Sequence, residues 1–155
     1  MSESEARLGA VLPGLWRIRA SNFAMWLSGK RSDPTFRYTM LREHPLRLRD
    51  EVAYRTRDGS TKRIIGTDDH DPRTGGFVWR GNGILRPLSS RWQVRALADD
   101  DRVAVIGFTK SLVTPAGIDI VTRDGVDPAE LAARIENAPQ EFGLSASEPA
   151  TLRWW

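Results

Sequence analysis

The chain has 155 residues, 40% hydrophobic and 28% charged, a length and composition that predict one globular domain. It has no cysteine, which excludes disulfide bonds and thiolate metal sites, and no run of about 18 apolar residues that could span a bilayer. The formal charge of +3 is the small excess of 23 basic over 20 acidic residues, and we therefore expect no nucleic-acid binding.

The first residues, 1–11, are polar and include Glu3 and Glu5, and we expect a flexible N-terminal tail before a barrel domain at 12–155. They lack the basic region and apolar stretch of a secretory signal, which predicts a cytoplasmic protein. Only three of the basic residues are lysine, Lys30, Lys62 and Lys110, and the arginine excess favours a GC-rich bacterial genome over phosphate recognition.

Most of the chain alternates apolar and polar residues with period two, in runs rich in Val, Ile, Thr and aromatic residues, which predicts β-strands. Eight strands are predicted, at 14–20, 35–42, 46–57, 60–68, 75–85, 89–98, 102–108 and 117–123. The segment 21–33 between the first two is apolar at Phe23, Met25, Trp26 and Leu27, and we interpret it as a short helix or lid across the open end of a barrel.

The clearest alternation lies in 46–57, where apolar side chains on one face oppose an arginine-rich, solvated face. Asp50 shares the apolar face with Leu48 and Val52. If it is buried, its pKa should rise, and it becomes a candidate proton acceptor or ligand anchor. The alternative is a structural position at a bulge or at the barrel mouth.

Short connections rich in Asp and Gly, such as Asp58-Gly59 and 99–101, predict antiparallel neighbours, and a closed barrel would leave no exposed sheet edge. Gly81-Asn82-Gly83 is interpreted as a kink or bulge within a strand. Asp127 and Pro128 predict a helix start, and this helix runs to about Asn137. The last run, 150–155, predicts a short ninth strand.

Four segments resemble lipocalins, a family of the calycin superfamily. Gly14-Leu15-Trp16 looks like the G-x-W of their first strand. Segments 91–97 and 102–107 are similar to the sixth and seventh strands of bacterial outer-membrane lipocalins, and 118–123 is similar to the eighth. The turn Asp99-Asp100-Asp101 departs from the family's T-D-Y motif because it lacks the Tyr.

The resemblance implies an all-β fold, an eight-stranded antiparallel up-and-down barrel with a C-terminal helix and a short ninth strand. The chain departs from the bacterial outer-membrane members in lacking their secretion signal and lipid-anchor cysteine, and we therefore expect it to work inside the cell. The resemblance also implies that Arg123 packs on Trp16, because the Arg that ends the eighth strand of lipocalins stacks on the first-strand Trp. Fatty-acid-binding proteins and nitrobindin-like proteins are related barrels, and the latter bind haem through a His.

An eight-stranded barrel either fills with side chains or holds one small ligand. Alternation predicts inward positions that could bind a ligand, although each could equally be core, and the predicted lid adds Trp26. The predicted inward residues are Tyr38, Met40, Val52, Tyr54, Phe77, Trp79, Trp92, Val94 and Ile118.

His44 and His70 are too few for a three-His metal site, and both are predicted to lie in exposed turns. The run Asp68-Asp69-His70-Asp71 could bind a divalent cation, but a solvated hairpin explains it without metal. We therefore expect neither a metal nor a cofactor.

The first hypothesis for function is binding of a hydrophobic small molecule, such as a fatty acid, an isoprenoid or a polyketide-like metabolite. The second is a cyclase or isomerase of a bacterial natural-product pathway, which uses the cup to fold a flexible substrate. The sequence has no G-x-S-x-G, H-E-x-x-H or Gly-rich phosphate loop, but confinement chemistry does not require one. A barrel filled by its own side chains would instead indicate a structural or regulatory module. For the assembly, a homodimer is one possibility.

Overall fold

The computed structural model describes residues 1–85, 88–110 and 116–155. Within these ranges, eight antiparallel strands form one closed up-and-down barrel, and a ninth strand pairs outside it. The predicted fold class is confirmed. The barrel strands are β1 (Gly14–Ser21), β2 (Arg31–Arg42), β3 (Arg47–Thr56), β4 (Thr61–His70), β5 (Phe77–Gly81), β6 (Ser89–Ala98), β7 (Val103–Thr109) and β8 (Gly117–Thr122).

The remaining elements cover the two ends and one side of the barrel. They are the helices α1 (Glu3–Val11), α2 (Ala24–Leu27) and α3 (Pro128–Asn137), the strand β9 (Arg153–Trp154), and 3₁₀ turns at Gly83–Leu85, Pro139–Phe142 and Pro149–Thr151. In the described part of the chain, no helix is both long and apolar enough to cross a membrane.

Strand β1 closes the barrel because it pairs with β2 on one side and with β8 on the other. Its register against β8 shifts between Ile18 and Ala20, and beyond this irregularity Ala20 and Ser21 pair with β9. Closure leaves every long strand with two neighbours, which removes the exposed edges of an open sheet.

Two hydrophobic cores lie on opposite sides of the barrel wall. In β7, Ala104 and Ile106 belong to the interior core, whereas Val103 and Val105 pack outward under α3. This strand is continuously apolar because both of its faces are covered. Ile118 was predicted to point inward, but this prediction was wrong, because Ile118 packs in the outer core. The inward and outward side chains of β8 alternate one residue out of step with the predicted pattern.

The N-terminal residues form helix α1 instead of the predicted flexible tail. Ser2 caps the helix, since its Oγ accepts a hydrogen bond from Glu5 N at 3.1 Å. Leu8 and Leu12 are buried in the interior core, and buried Glu5 accepts a hydrogen bond from Leu46 N at 2.7 Å. The helix is ordered because it closes one end of the barrel, where its apolar residues find partners.

Arg123 and Trp16 meet at this closed end. The Arg123 guanidinium carbon lies 3.8 Å from the centre of the Trp16 ring. The same guanidinium donates hydrogen bonds to the carbonyls of Val11 (2.6 Å), Pro13 (3.0 Å) and Leu15 (2.9 Å). Gly14 has a φ of +117°, and a Cβ there would lie 2.8 Å from Arg123 Nη1, so this position requires glycine.

The structure shortens two predicted strands. The strand predicted at 75–85 ends at Gly81, and residues 83–85 form a 3₁₀ turn instead of a kink within the strand. The turn folds back onto the strand so closely that a Cβ on Gly81 would lie 2.4 Å from Leu85 Cβ. The ninth strand contains only Arg153 and Trp154, because a 3₁₀ turn occupies residues 149–151.

Candidate functional site

A cavity of about 160 Å³ lies inside the barrel at the end covered by α2. Most of its lining is aromatic, and two of the lining residues are acidic. The lining residues are Phe23, Met25, Trp26, Phe36, Tyr38, Asp50, Val52, Ile64, Trp79, Ser90, Trp92, Phe108 and Asp119. Among the described residues, therefore, no Lys, Arg or His lines the cavity.

Stacked aromatic rings form one wall of the cavity and continue below it. Phe77 stacks on Trp92 with ring centres 4.5 Å apart, and Trp92 stacks on Tyr38 at 5.7 Å. Phe36 extends the row, 6.0 Å from Tyr38. Since each ring is held by its neighbour, this wall is largely preformed for a ligand.

Helix α2 and the residue before it cover the cavity with three apolar side chains, Phe23, Met25 and Trp26. Trp26 is buried and meets Tyr54 edge to face at 5.7 Å. Phe23 packs on Phe108 at 5.1 Å and lies so close to Gly117 that a Cβ there would be 2.4 Å from the Phe23 ring. The short segment thus lies over the open end of the barrel, as the lid interpretation of residues 21–33 expects.

Two carboxyl groups on neighbouring strands meet beside this wall. Asp50 on β3 and Asp68 on β4 are both buried, and their carboxyl groups lie close enough to affect each other's pKa. Oδ1 of Asp50 and Oδ2 of Asp68 find no other donor within the described ranges, so a single proton held between them satisfies both. Asp68 Oδ1 accepts a second hydrogen bond, from Trp92 Nε1 at 2.9 Å.

Burial dominates the electrostatics of this pair. Desolvation raises the pKa of Asp50 to about 6, and the hydrogen bond from Asp68 opposes that rise. Desolvation and the charge of Asp50 raise the pKa of Asp68 well above its usual range. Burial and these nearby carboxyls also raise the pKa of Tyr38, which keeps its hydroxyl protonated. At neutral pH the pair therefore carries about one proton and one negative charge.

Asp119 on β8 is another buried acid, and it lies on the wall of the barrel opposite Asp68. Its Oδ1 accepts a hydrogen bond from the Ser21 hydroxyl, while Oδ2 has no partner of good geometry in the described part of the chain. Desolvation raises the pKa of Asp119 to about 7, opposed by the Ser21 hydroxyl and the Trp26 indole. The cavity therefore holds carboxyl groups that change charge near neutral pH.

Of the residues predicted to bind a ligand, five line the cavity together with the candidate acid Asp50. They are Trp26, Tyr38, Val52, Trp79 and Trp92. Tyr54 lies at the rim, where the Arg31 guanidinium stacks on its ring at 4.8 Å. Phe77 lies below Trp92, and Val94 packs near α1. These three residues do not line the cavity.

Met40 also does not line the cavity. It has the inward phase of Tyr38, but it lies at the closed end of β2, where it is 38% exposed and reaches Gly9 of α1. The alternation of β2 indicates which face a side chain takes, but not how deep along the barrel it lies. The same reason explains the positions of Phe77 and Val94.

Several cavity residues were not predicted from the sequence. Phe36, Ile64, Ser90 and Phe108 line the wall, and they share the inward phase of residues that the alternation did identify. Asp119 carried a signal of its own, because it stands alone between Ile118 and Ile120 in an apolar run. Asp68 could have been found as the inward neighbour of Asp50, but only with the register of β3 against β4 known.

His70 was predicted to be an exposed turn residue, and this prediction was wrong. It is 8% exposed, its Nδ1 lies 3.9 Å from Glu5 Oε1, and its ring packs on Phe77. It is buried because α1 covers this end of the barrel. His44 is half-exposed, as predicted, with its Nδ1 3.1 Å from both Glu5 carboxylate oxygens.

The acidic run at residues 68–71 does not converge on one point. Asp68 faces inward, Asp69 forms an ion pair with Arg47 at 2.6 Å, and Asp71 pairs with Arg91 at 3.1 Å. Because successive residues of a strand point to opposite faces, Asp68 points away from Asp69, and Asp69 and Asp71 are each paired with an arginine. Within the described ranges these carboxylates therefore form no group that could hold a metal ion.

Comparison with known proteins identifies the fold. Neither a protein-family model nor a curated protein sequence matches the chain. Among solved structures, lobster apocrustacyanin A1 is 10% identical with a TM-score of 0.64, and the match covers 99% of this chain and 85% of that one.

Two further solved structures are similar over comparable lengths. The siderocalin Ex-FABP is 19% identical with a TM-score of 0.59, and the match covers 91% of each chain. The odorant-binding protein OBP1 is 13% identical with a TM-score of 0.58, and the match covers 99% of this chain and 92% of that one. The chain therefore has the lipocalin fold, as its sequence motifs indicated.

Proposed function

We propose that the protein binds a small, mainly apolar molecule in the barrel cavity. The observation that carries this proposal is a largely aromatic cavity of about 160 Å³ beneath α2, which the side chains of the barrel leave unfilled. Lipocalin-fold neighbours named as an odorant-binding protein and as a siderocalin with dual ligand specificities support a binding role for such a cup. Fold likeness alone does not select a ligand.

The volume narrows the ligand classes. A dry cavity of about 150 Å³ in another protein binds benzene, so the space suits a ring-sized molecule or a ring with a short chain. Among fatty acids, isoprenoids and polyketide-like metabolites, it favours compact members of the latter two. A fatty-acid carboxylate would also face Asp50 and Asp119 without any basic partner among the described lining residues.

A cavity-filling substitution tests binding. Ser90→Phe puts a benzyl group into the cavity, and we expect it to abolish binding because it occupies the ligand's space. Binding of phenethyl alcohol is measured by calorimetry, with a fluorescent fatty acid as the long-chain comparison. Quenching of tryptophan emission gives a second readout, since Trp26, Trp79 and Trp92 line the cavity.

Ser89→Phe is the matched control, because Ser89 is the exposed neighbour of Ser90 on the same strand. It should bind phenethyl alcohol as the parent protein does. Binding that survives Ser90→Phe would place the ligand outside the barrel. If compact and long-chain apolar probes all fail to bind the parent protein, the proposed function is wrong.

The second candidate function is a cyclase or isomerase that acts on a molecule held in the same cavity. The observation that favours it is the close pair of buried carboxyl groups, Asp50 and Asp68, beside an aromatic wall. In this proposal Asp50 accepts a proton from a carbon next to a carbonyl, and the Tyr38 hydroxyl, close to the pair, donates a hydrogen bond to the developing enolate. Isomerisation follows if the proton returns to another carbon.

Exchange of the acidic hydrogens of phenylacetone in heavy water tests this second candidate. If Asp50 acts as the base, the parent protein accelerates the exchange, and Asp50→Asn, which cannot accept a proton, removes most of the acceleration. Proton NMR spectroscopy follows the loss of signal from the exchanging hydrogens of phenylacetone. An equal rate with the parent protein and with Asp50→Asn would exclude Asp50 as the base.

The remaining sequence-based expectations stay predictions. They are a bacterial source, a cytoplasmic location, no nucleic-acid binding and a homodimer as one assembly. Fractionation, nucleic-acid titration and sedimentation test the last three. A gene within a biosynthetic cluster would favour the enzyme over the binding protein.

A further inference from the structure

We propose that the cavity selects an organic cation, namely a protonated amine attached to a compact aromatic or heteroaromatic ring, with its nitrogen at Asp50. This inference rests on the proposed binding function and names the class of ligand. It starts from the charge balance of the cavity, because two lining residues are acidic and, in the described ranges, none is basic.

Both acids lack compensation for their burial. Asp50 is 5% exposed and Asp119 is 1% exposed. In the described ranges, Asp119 Oδ2 has no donor of good geometry, and Asp50 has no partner besides the carboxyl of Asp68. A buried charge is costly unless a cation or several donors face it. An ammonium group supplies both, since it has a full positive charge and up to three N–H donors.

Asp50 is the better position for the nitrogen. Asp119 already accepts a hydrogen bond from the Ser21 hydroxyl, whereas the described chain offers Asp50 only the proton shared with Asp68. The pair carries about one negative charge, so one monocation balances it. Asp68 is held in place by Trp92 Nε1 at 2.9 Å, which fixes the geometry of the pair.

Aromatic rings lie beside Asp50 and suit a ligand whose ammonium is attached to an aromatic ring. Asp50 pairs with Gly66 on the neighbouring strand, and the Trp79 indole lies over that glycine, 2.2 Å from where a Cβ would be. Tyr38 lies opposite Asp50 on the other neighbouring strand. The ring of such a ligand can pack against these side chains, and the negative face of an aromatic ring attracts an ammonium but repels a carboxylate.

Asp119 lies where it would face the end of the ligand opposite the nitrogen. Strands β4 and β8 are four strands apart around the eight-stranded barrel, so Asp68 and Asp119 stand on opposite walls. A ring bound between them would present its far edge to Asp119 beneath α2. A heteroaromatic N–H on that edge would give Asp119 Oδ2 the donor it lacks.

A metal ion fits this cavity less well. The described lining offers carboxylate oxygens, one serine hydroxyl and one tyrosine hydroxyl, and otherwise carbon and indole groups. Calcium takes six to eight oxygen ligands and magnesium keeps a nearly complete octahedral shell. An organic cation needs no such shell, because its ring is stabilised by the same aromatic wall.

Three probes of equal size and different charge test the proposal. Phenethylamine, phenethyl alcohol and phenylacetate are titrated into the parent protein at pH 8 by calorimetry. We expect the amine to bind about tenfold or more tightly than the alcohol, and phenylacetate to bind weakest. Asp50→Asn keeps the shape of the side chain and should reduce the amine's advantage over the alcohol to less than about threefold.

A pH series gives a second readout that does not depend on a variant. Tyr38 on β2 and Asp68 on β4 face Asp50, and Asp119 lies across the cavity. Because the pKa values of Asp50 and Asp119 are raised to about 6 and about 7, their charge disappears as the pH falls from 8 to 5. The preference for the amine should disappear over the same range. Asp100→Asn, an exposed surface acid, should change neither result.

The outcomes separate this inference from the proposed function. If the alcohol binds as tightly as the amine, or if phenylacetate binds tightest, the proposal of an amine ligand is wrong. The proposed binding of small apolar molecules is then unaffected. If Asp119→Asn removes the preference and Asp50→Asn does not, the nitrogen is not at Asp50. If none of the three probes binds but the fluorescent fatty acid does, the amine proposal alone is wrong. If the fatty acid does not bind either, the proposed function fails and the amine proposal fails with it.

Discussion

Replacing Arg123 by alanine should lower the free energy of unfolding by about 2–4 kcal/mol. The guanidinium stacks on Trp16 at 3.8 Å and donates hydrogen bonds to the carbonyls of Val11, Pro13 and Leu15. Val11 is the last residue of α1, so the substitution also leaves a helix end without its cation. Urea denaturation followed by tryptophan fluorescence measures the loss.

Two companion variants show which property of Arg123 matters. Arg123→Lys keeps the charge but not the planar fork that reaches three carbonyls, and it should fall between the parent and Arg123→Ala. Arg17→Ala removes an arginine from β1 whose ion pair with Asp124 is exposed, so it should cost less than about 1 kcal/mol. If Arg123→Ala costs no more than Arg17→Ala, the contact with Trp16 does not stabilise the barrel.

Replacing Asp119 by asparagine should stabilise the protein at pH 8, by about 2–4 kcal/mol. Burial raises the pKa of Asp119 to about 7, which means that the fold opposes its ionisation. Asparagine carries no charge, and its Oδ1 can still accept the hydrogen bond from the Ser21 hydroxyl. The variant therefore removes the cost of a buried charge and keeps most of the packing.

The size of this stabilising effect depends on pH. Between about pH 4 and pH 7 the folded protein holds a proton on Asp119 that the unfolded chain has lost, so this carboxyl lowers the free energy of unfolding as the pH rises. Below about pH 4 the carboxyl is protonated in both states, and the stabilising effect of Asp119→Asn should disappear. Denaturation series at pH 4, 6 and 8 measure the difference.

The exposed Asp100 provides the matched control. Asp100→Asn makes the same chemical change at the surface, and the positive φ of this turn residue, +53°, is one that asparagine accepts. Its effect should stay within about 0.5 kcal/mol at each pH. A gain for Asp119→Asn that is equal at pH 4 and pH 8 would show that the charge of Asp119 is not its cause.

The lipocalin fold could be predicted because its signals are local. Period-two alternation identifies strands, the short Asp- and Gly-rich turns make neighbours antiparallel, and Asp127 with Pro128 marks the start of α3. Closure follows from the need to cover two edges of a long sheet. Arg123 and Trp16 could be paired through family resemblance, since no local rule connects residues so far apart in the chain.

The sequence determined the face of most side chains, but only the tertiary structure decided their depth and partners. Tyr38 and Met40 share one face of β2, yet one lines the cavity and the other lies at the closed end. Helix α1 was not expected because its stability comes from contacts of Leu8 and Leu12 with the barrel.

For the acidic residues of the cavity, too, the sequence determined one part and the tertiary structure decided the other. The position of Asp50 on an apolar face was visible in the sequence, and burial was expected to raise its pKa. Its proton-sharing contact with Asp68 depends on the register of β3 against β4, and the opposite placement of Asp119 depends on closure of the barrel. Register and closure are properties of the whole sheet, so no single segment of the sequence contains them.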